Sequence, residues 1–415
     1  MNTFDTGTTG FMLLATSLVM LMTPGLAFFY GGLAGKRNIL GIMIQSFVSM
    51  GITTIMWFLF GYSLCFSGDV ATHSDWLFGI IGNLNKVMME GVTLNTPYSG
   101  NPKLPEFVFM AYQMMFAIIT PALITGAFMN RVTFKGYLIF LMLWQLLVYY
   151  PFVHMIWGGG LLAANGVLDF AGGIVVHATA GFAALASVIY VGKRTNQENK
   201  PNSIPLIALG TGLLWFGWYG FNAGSALNVN AITGLAFLNT DVAASFAAIT
   251  WLVIEWSMSK KPKFVGLLTG AVAGLATVTP AAGYISLPYA AMIGVLSGIV
   301  CYIAVDFKNK RGWDDALDVW GVHGVGGVLG TICLGIFAAK GINPDGADGL
   351  IHGGSQFFIK QVVATIGAAI YAFLFTYVML AVINKITPVR VKEHEEEMGL
   401  DAALHGEAAY DEGVF

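Results

Sequence analysis

Charge is scarce in this chain. Only 10% of its 415 residues are Asp, Glu, Lys or Arg, against 56% that are apolar, whereas soluble domains carry about 25% charge. A water-facing globule is thereby excluded, and lipid is the solvent this composition suits. Basic residues form no patch of the kind that would bind nucleic acid, and the net charge is −3. Cysteine is equally sparse. Cys65, Cys301 and Cys333 stand alone in apolar stretches without a CxxC pair, which supports neither a zinc site nor a disulfide framework and leaves them as small core residues. No Lys or Arg precedes Lys36. The positive flank of a secretory signal is missing, so the first apolar run is expected to be a retained span.

What the chain does have is glycine, 52 residues of it, and long apolar runs. Small residues let helix backbones approach closely in lipid, where no hydrophobic drive holds helices together. Runs long enough to cross about 30 Å of hydrocarbon occur at 8–31, 39–66, 106–128, 134–157, 170–192, 205–226, 235–256, 264–285, 287–305, 320–339 and 355–384. Each is expected to be helical, because lipid cannot satisfy open backbone groups. The reading is thus an all-α membrane protein of eleven transmembrane helices.

The loops test that count. Those after spans 1, 3, 5, 7 and 9, with the C-terminal end, hold all of the 20 Lys and Arg residues except Lys86, Lys103, Lys340 and Lys360. The positive-inside rule then puts the N-terminus outside and the C-terminus inside. An inverted five-plus-five repeat with an added eleventh helix follows from two echoes. Leu168-Asp169 leads to His177 and Gly181 in span 5, as Leu317-Asp318 leads to His323 and Gly327 in span 10; Thr120-Pro121-Ala122 in span 3 matches Thr279-Pro280-Ala281 in span 8.

Of seven histidines, His73, His352, His394 and His405 fall in loops or the tail, and His154 lies near an outer helix end. His177 and His323 lie inside apolar helices as repeat equivalents. An ionisable group there faces the protein interior or a pathway, leaving an interhelical hydrogen bond, a pore role or a haem or metal site as readings. Asp169 either caps span 5 or attracts a cation; Asp318 carries the same ambiguity, and Asp241 reads as a simple cap. Tyr112, Phe116, Trp157, Trp218 and Phe221 cluster at outer span ends. An interfacial belt explains single aromatics but not Phe116 and Phe221, which sit deeper, where rings attract cations or constrict a pore.

The segments His154-Met155-Ile156-Trp157-Gly158-Gly159-Gly160, Gly217-Trp218-Tyr219-Gly220-Phe221-Asn222-Ala223-Gly224-Ser225 and Val319-Trp320-Gly321-Val322-His323-Gly324 resemble the signatures of the ammonium transporter family, along nearly the whole chain. The resemblance implies a homotrimer with one narrow pore per protomer, no enzyme activity, no cofactor and no metal. It implies that Trp157 and Ser225 recruit the ammonium cation with Tyr112 and Phe116 lining the site and Asp169 nearby, where Tyr112 replaces a common phenylalanine. It further implies that Phe116 and Phe221 close the pore below, and that His177 and His323 line it and relay protons. Ammonia would be the species that crosses the plasma or inner membrane.

The chain so read divides into a transmembrane domain over 1–387, with repeat halves at about 8–192 and 205–339 and the eleventh helix at about 355–384, and a cytoplasmic tail over 388–415. That tail holds eight acidic residues against two basic ones, as a solvated end does. Gly399-Leu400-Asp401, His405-Gly406-Glu407 and Tyr410 nonetheless resemble the family's regulatory C-terminus, which implies docking under the cytoplasmic face and control by a PII-type signalling protein. An ammonium sensor acting through a separate partner is the alternative. A haem protein and a potassium or sodium channel are rival readings, the latter disfavoured because no TVGYG-type filter is present.

Overall fold

A computed structural model describes residues 4–195 and 200–410. Ten of its helices are long and apolar enough to cross a membrane. They are α1 (Thr6–Leu33), α2 (Ile39–Phe66), α3 (Glu106–Ile124), α4 (Phe134–Ala164, its main body ending at Trp157), α5 (Gly173–Val191), α6 (Ile204–Gly224), α7 (Ala231–Ser259), α9 (Leu287–Arg311), α10 (Trp320–Phe337) and α11 (Ser355–Ile386). The segment expected at 264–285 forms a shorter helix, α8 (Phe264–Val278), because the chain turns at Thr279-Pro280-Ala281 instead of continuing. A brief α12 (Glu393–Met398) lies in the tail. The one β-element among the described residues is a hairpin between α2 and α3, in which β1 (Pro97–Tyr98) pairs antiparallel with β2 (Asn101–Pro105).

Apolar side chains cover the flanks of the bundle: Val363, Ile366 and Ile370 on α11 and Ile249 and Val253 on α7 are more than half exposed. Inside, small residues set the helix spacing. A Cβ on Gly181 of α5 would lie 2.1 Å from the Gly324 backbone of α10, so the two helices that carry His177 and His323 cross almost backbone to backbone.

The ends of α5 and α10 repeat one construction, though not with the residues the sequence pointed to. Asp169, eight residues before His177, accepts amide N–H bonds at the start of α5. Its counterpart is Asp315, eight residues before His323, which accepts from the Val319 and Trp320 amides at 3.1 and 2.8 Å. Asp318 sits in the left-handed region at φ 60° and pairs with Lys308 at 2.7 Å. Matching Leu-Asp dipeptides misaligned the halves by three residues. Asp241 is not a cap either. Asn230 caps α7, and Asp241 lies inside the helix, accepting from Trp215 Nε1 and the Tyr219 hydroxyl of α6.

Candidate functional site

Helical spacing brings Phe109, Gln113 and Phe116 to one face of α3. With Tyr98, Ile156, Trp157, Phe170, Ser225 and Leu227 they line a cavity of about 220 Å³. Trp157 ends the main body of α4 and donates its Nε1–H to the Asp169 carbonyl at 2.8 Å. The Asp169 carboxylate is taken up by the amides of Gly172, Gly173, Ile174 and Val175 at 2.6–3.0 Å. Of the two readings left open for this residue, the geometry shows the cap. Its charge complements the helix N-terminus, while its peptide oxygen fixes the Trp157 ring. Gly172 makes the bend between them at φ 124°, a conformation closed to residues with a Cβ.

Ser225 follows α6, lines the cavity and donates to the Phe221 carbonyl at 2.9 Å, which leaves its oxygen free to accept. Tyr112 stands behind the wall instead of lining it. Fully buried, it places its hydroxyl 2.9 and 2.8 Å from the carbonyls of Gly220 and Phe221 and 3.3 Å from Ser225 Oγ. The hydroxyl draws the ring onto the end of α6, where it meets Phe116 edge-on at 5.0 Å.

Phe116 and Phe221 close the floor of this cavity, their centroids 4.2 Å apart and their planes 32° apart. Beyond them runs a lumen of about 10 Å³, walled by Phe221, Trp218, Leu26, Ile119, Leu214, Val272 and both histidines. That is close to the least volume that holds one water molecule. His177 and His323 face each other with Nδ1 atoms 3.3 Å apart and rings inclined by 20°. One Nδ1 must donate and the other accept, so the accepting ring carries its hydrogen on Nε2. His177 Nε2 is buried without a protein partner. Trp218 stacks on His177 at 5.5 Å and is anchored by Thr279 Oγ1 at 2.9 Å.

His323 also borders a second cavity of about 450 Å³ on the face that carries the tail, lined by Tyr30, Lys193, Arg194, Lys308, Asp314, Asp315 and Asp318. Its edge is tied by a buried network. Arg194 grips Asp314 through its backbone and guanidinium N–H groups at 2.7–3.1 Å, and Arg131 reaches Asp314, Ala127 and Gly192. Burial raises the Asp314 carboxyl pKa, but the Arg194 hydrogen bonds and the Arg131 charge outweigh it and hold the group below its ordinary value of 3.8.

The described part of the tail, up to Tyr410, packs against this face. Asp401 accepts from the Ile39 and Gly41 amides at 3.0 and 2.7 Å, serving as the side-chain cap of α2. Glu396 accepts from Thr195 and Arg390, Arg37 donates to the Glu397 carbonyl, and the Tyr410 hydroxyl meets Asn202. Residues 411–415, part of the expected tail, lie outside the described residues.

The structure therefore brings Trp157, Ser225, Phe116, Phe221, His177 and His323 into one succession, with Asp169 and Tyr112 behind its wall. Several lining residues were not singled out as site residues from the sequence. Gln113 and Phe109 carried a signal, being spaced with Phe116 on α3, and Trp218 shares a face with Phe221. Tyr98 comes from the hairpin, where no periodicity marks it. His154 was set aside, yet it is wholly buried and bridges the Cys65 carbonyl at 3.0 Å and Asp75 at 3.4 Å.

Comparison with known proteins points one way. Residues 10–410 match the Ammonium Transporter Family. The chain is 43% identical over 409 residues to the putative ammonium transporter of Methanothermobacter thermautotrophicus, covering 98% of each chain. It superposes on Saccharomyces cerevisiae Mep2 with a TM-score of 0.86 at 35% identity, covering 94% of this chain and 91% of that one. A protein described as a sensor Amt protein superposes with a TM-score of 0.85 at 29% identity, covering 95% and 97%.

Proposed function

The chain belongs to the ammonium transporter family and is a multi-pass membrane transporter, not an enzyme; from that premise we propose that it takes ammonium in at the aromatic cavity and passes ammonia through the histidine-lined lumen. The observation that carries this reading is the lumen itself, about 10 Å³ between the Phe116–Phe221 pair and the two histidines.

Ammonium and potassium share charge and approximate size, so a sieve cannot separate them. A dry lumen does so by desolvation. Stripping an ion of water costs many kcal/mol, and ammonium alone escapes that cost by giving up a proton. Trp157, Phe116 and the Ser225 oxygen provide cation–π and hydrogen-bond contacts that hold the cation before that step. Past the stacked phenylalanines, His177 and His323 offer donors and acceptors to neutral ammonia and a path for the proton.

The same reading makes α8, continued by the turn at 279–285, an eleventh span, and places the halves α1–α5 and α6–α10 in inverted topology. Asp169 and Asp315, capping α5 and α10 eight residues before each histidine, support that pairing. The tail face, with most of the Lys and Arg residues, is then cytoplasmic and the aromatic cavity external, in a plasma or inner membrane. The protein works as a homotrimer, and the tail over 388–415, docked as far as it is described, is the regulatory segment that a PII-type protein engages. A sensor role, in which ammonium binding signals through a separate partner, is favoured by one observation, the similarity to the sensor Amt protein.

The test is the current that reconstituted proteoliposomes give after ammonium, potassium and sodium pulses. Ammonium alone should give a current in the wild type, and replacing both His177 and His323 with leucine should remove it or its selectivity. Unchanged transport and selectivity in the double variant would sink the mechanism; silence to all three ions, with no change of internal pH, would leave the sensor role.

A further inference from the structure

Gln113 stands in the wall of the aromatic cavity, between Phe109 and Phe116 on α3. It is only 8% exposed, and its Oε1 is buried with no hydrogen-bond donor. A buried oxygen left unpaired costs about 1–3 kcal/mol, and such a group requires an explanation, of which a bound water or ion is one. Nearby protein donors are committed elsewhere. Trp157 Nε1 serves the Asp169 carbonyl, the Tyr112 hydroxyl serves the end of α6, and the Ser225 hydroxyl serves the Phe221 carbonyl.

The chemistry of the missing partner follows from its surroundings. Aromatic faces repel anions and attract cations, and the wall offers oxygen acceptors in Ser225 and Gln113. A small cation bearing several N–H donors suits both the rings and these oxygens, once the Gln113 carboxamide turns its buried Oε1 toward the cavity. The terminal torsion of a glutamine is broad and two-fold, so a rotation about it alone can carry the oxygen toward the cavity without moving α3. We propose that the Gln113 carboxamide oxygen is a direct acceptor ligand for the ammonium ion in this cavity, alongside Ser225. The assignment rests on the reading of the cavity as the ammonium entry site.

Full-length protein in proteoliposomes tests it, with ammonium chloride as the probe. Gln113→Met keeps side-chain length and removes the acceptor. It should raise the half-saturating ammonium concentration about tenfold, the worth of one hydrogen bond to a charged group, while the saturating current falls less than twofold. Gln113→Glu restores an acceptor of the same shape and should bring half-saturation back to the wild-type value or below. An unchanged half-saturation in Gln113→Met overturns the assignment, as does an equal loss of saturating current in both variants, which would mark a framework role. Ser225→Ala and Trp157→Leu separate the two levels of the argument. If they raise half-saturation and Gln113→Met does not, only the Gln113 ligand falls. If neither of them moves it, the entry-site reading falls and takes the ligand with it.

Discussion

On the proposed function the lumen has two mouths, built on the same plan from different materials. Each opens beside an aspartate that caps the helix bearing its histidine, Asp169 at one and Asp315 at the other. The cavity on the Asp169 side is about 220 Å³ with Tyr98, Phe109, Phe116, Trp157 and Phe170 in its wall. That on the Asp315 side is about 450 Å³ and edged by Lys193, Arg194, Lys308, Asp314 and Asp318. A small cavity walled by aromatic faces holds a cation by close contacts that strengthen as its dielectric falls. The wide cavity is edged by charged side chains of both signs. On the proposed function, discrimination therefore belongs to the aromatic mouth, and the charged mouth is where structure and tail meet.

The largest effect that would sharpen this comparison lies at the charged mouth. Asp314→Ala leaves Arg131 and Arg194 buried without their carboxylate and should cost about 3–5 kcal/mol, read as a fall in the thermal midpoint of the purified protein. The sign of its pH dependence is fixed by the lowered folded pKa. The Asp314 contribution is complete above the ordinary carboxyl value of 3.8 and is lost as pH falls through the folded value. The wild type should thus lose part of its midpoint below about pH 4, and the variant should lack that part. An acid profile shared by both would show that the carboxylate does not hold the mouth.

An intermediate effect compares the caps directly. Asp169→Ala orphans four amides and Asp315→Ala two, so the first should cost about 1–2 kcal/mol more than the second. It should also lower ammonium transport further, because the Trp157 anchor shifts with the cap. Equal costs in the same midpoint measurement would break the claim that the aromatic mouth leans harder on its aspartate.

The smallest effect is expected from Tyr112→Phe. Removing the hydroxyl takes away one neutral hydrogen bond, about 0.5–1.5 kcal/mol, and frees Ser225 without opening the wall. Half-saturation for ammonium should move by less than about threefold. A larger change would mean that Tyr112 enters the cavity after all.

Helices were the part most legible in the sequence, because apolar length reports the membrane directly. The runs at 39–66 and 205–226 became Ile39–Phe66 and Ile204–Gly224. Where the reading slipped, a local signal competed with a distant one. Proline at 280 ended α8 early, and the Leu-Asp dipeptides hid the eight-residue spacing that Asp169 shares with Asp315. Histidines inside helices stood out, since ionisable groups are rare there. Gln113 and Tyr98 did not, because neutral polar and aromatic residues are common and only the fold turned them toward one cavity. Asp241 was misread because its partners, Trp215 and Tyr219, lie on another helix.

The cap on α2 has a consequence for biosynthesis. The amides of Ile39 and Gly41 belong to the second helix made, yet the carboxylate that satisfies them is Asp401, 362 residues after Ile39. Until the ribosome has delivered nearly the whole chain, that helix begins uncapped. Its final seating is therefore a late event in assembly, and a chain released short of residue 401 carries an unfinished second helix however well its spans have inserted.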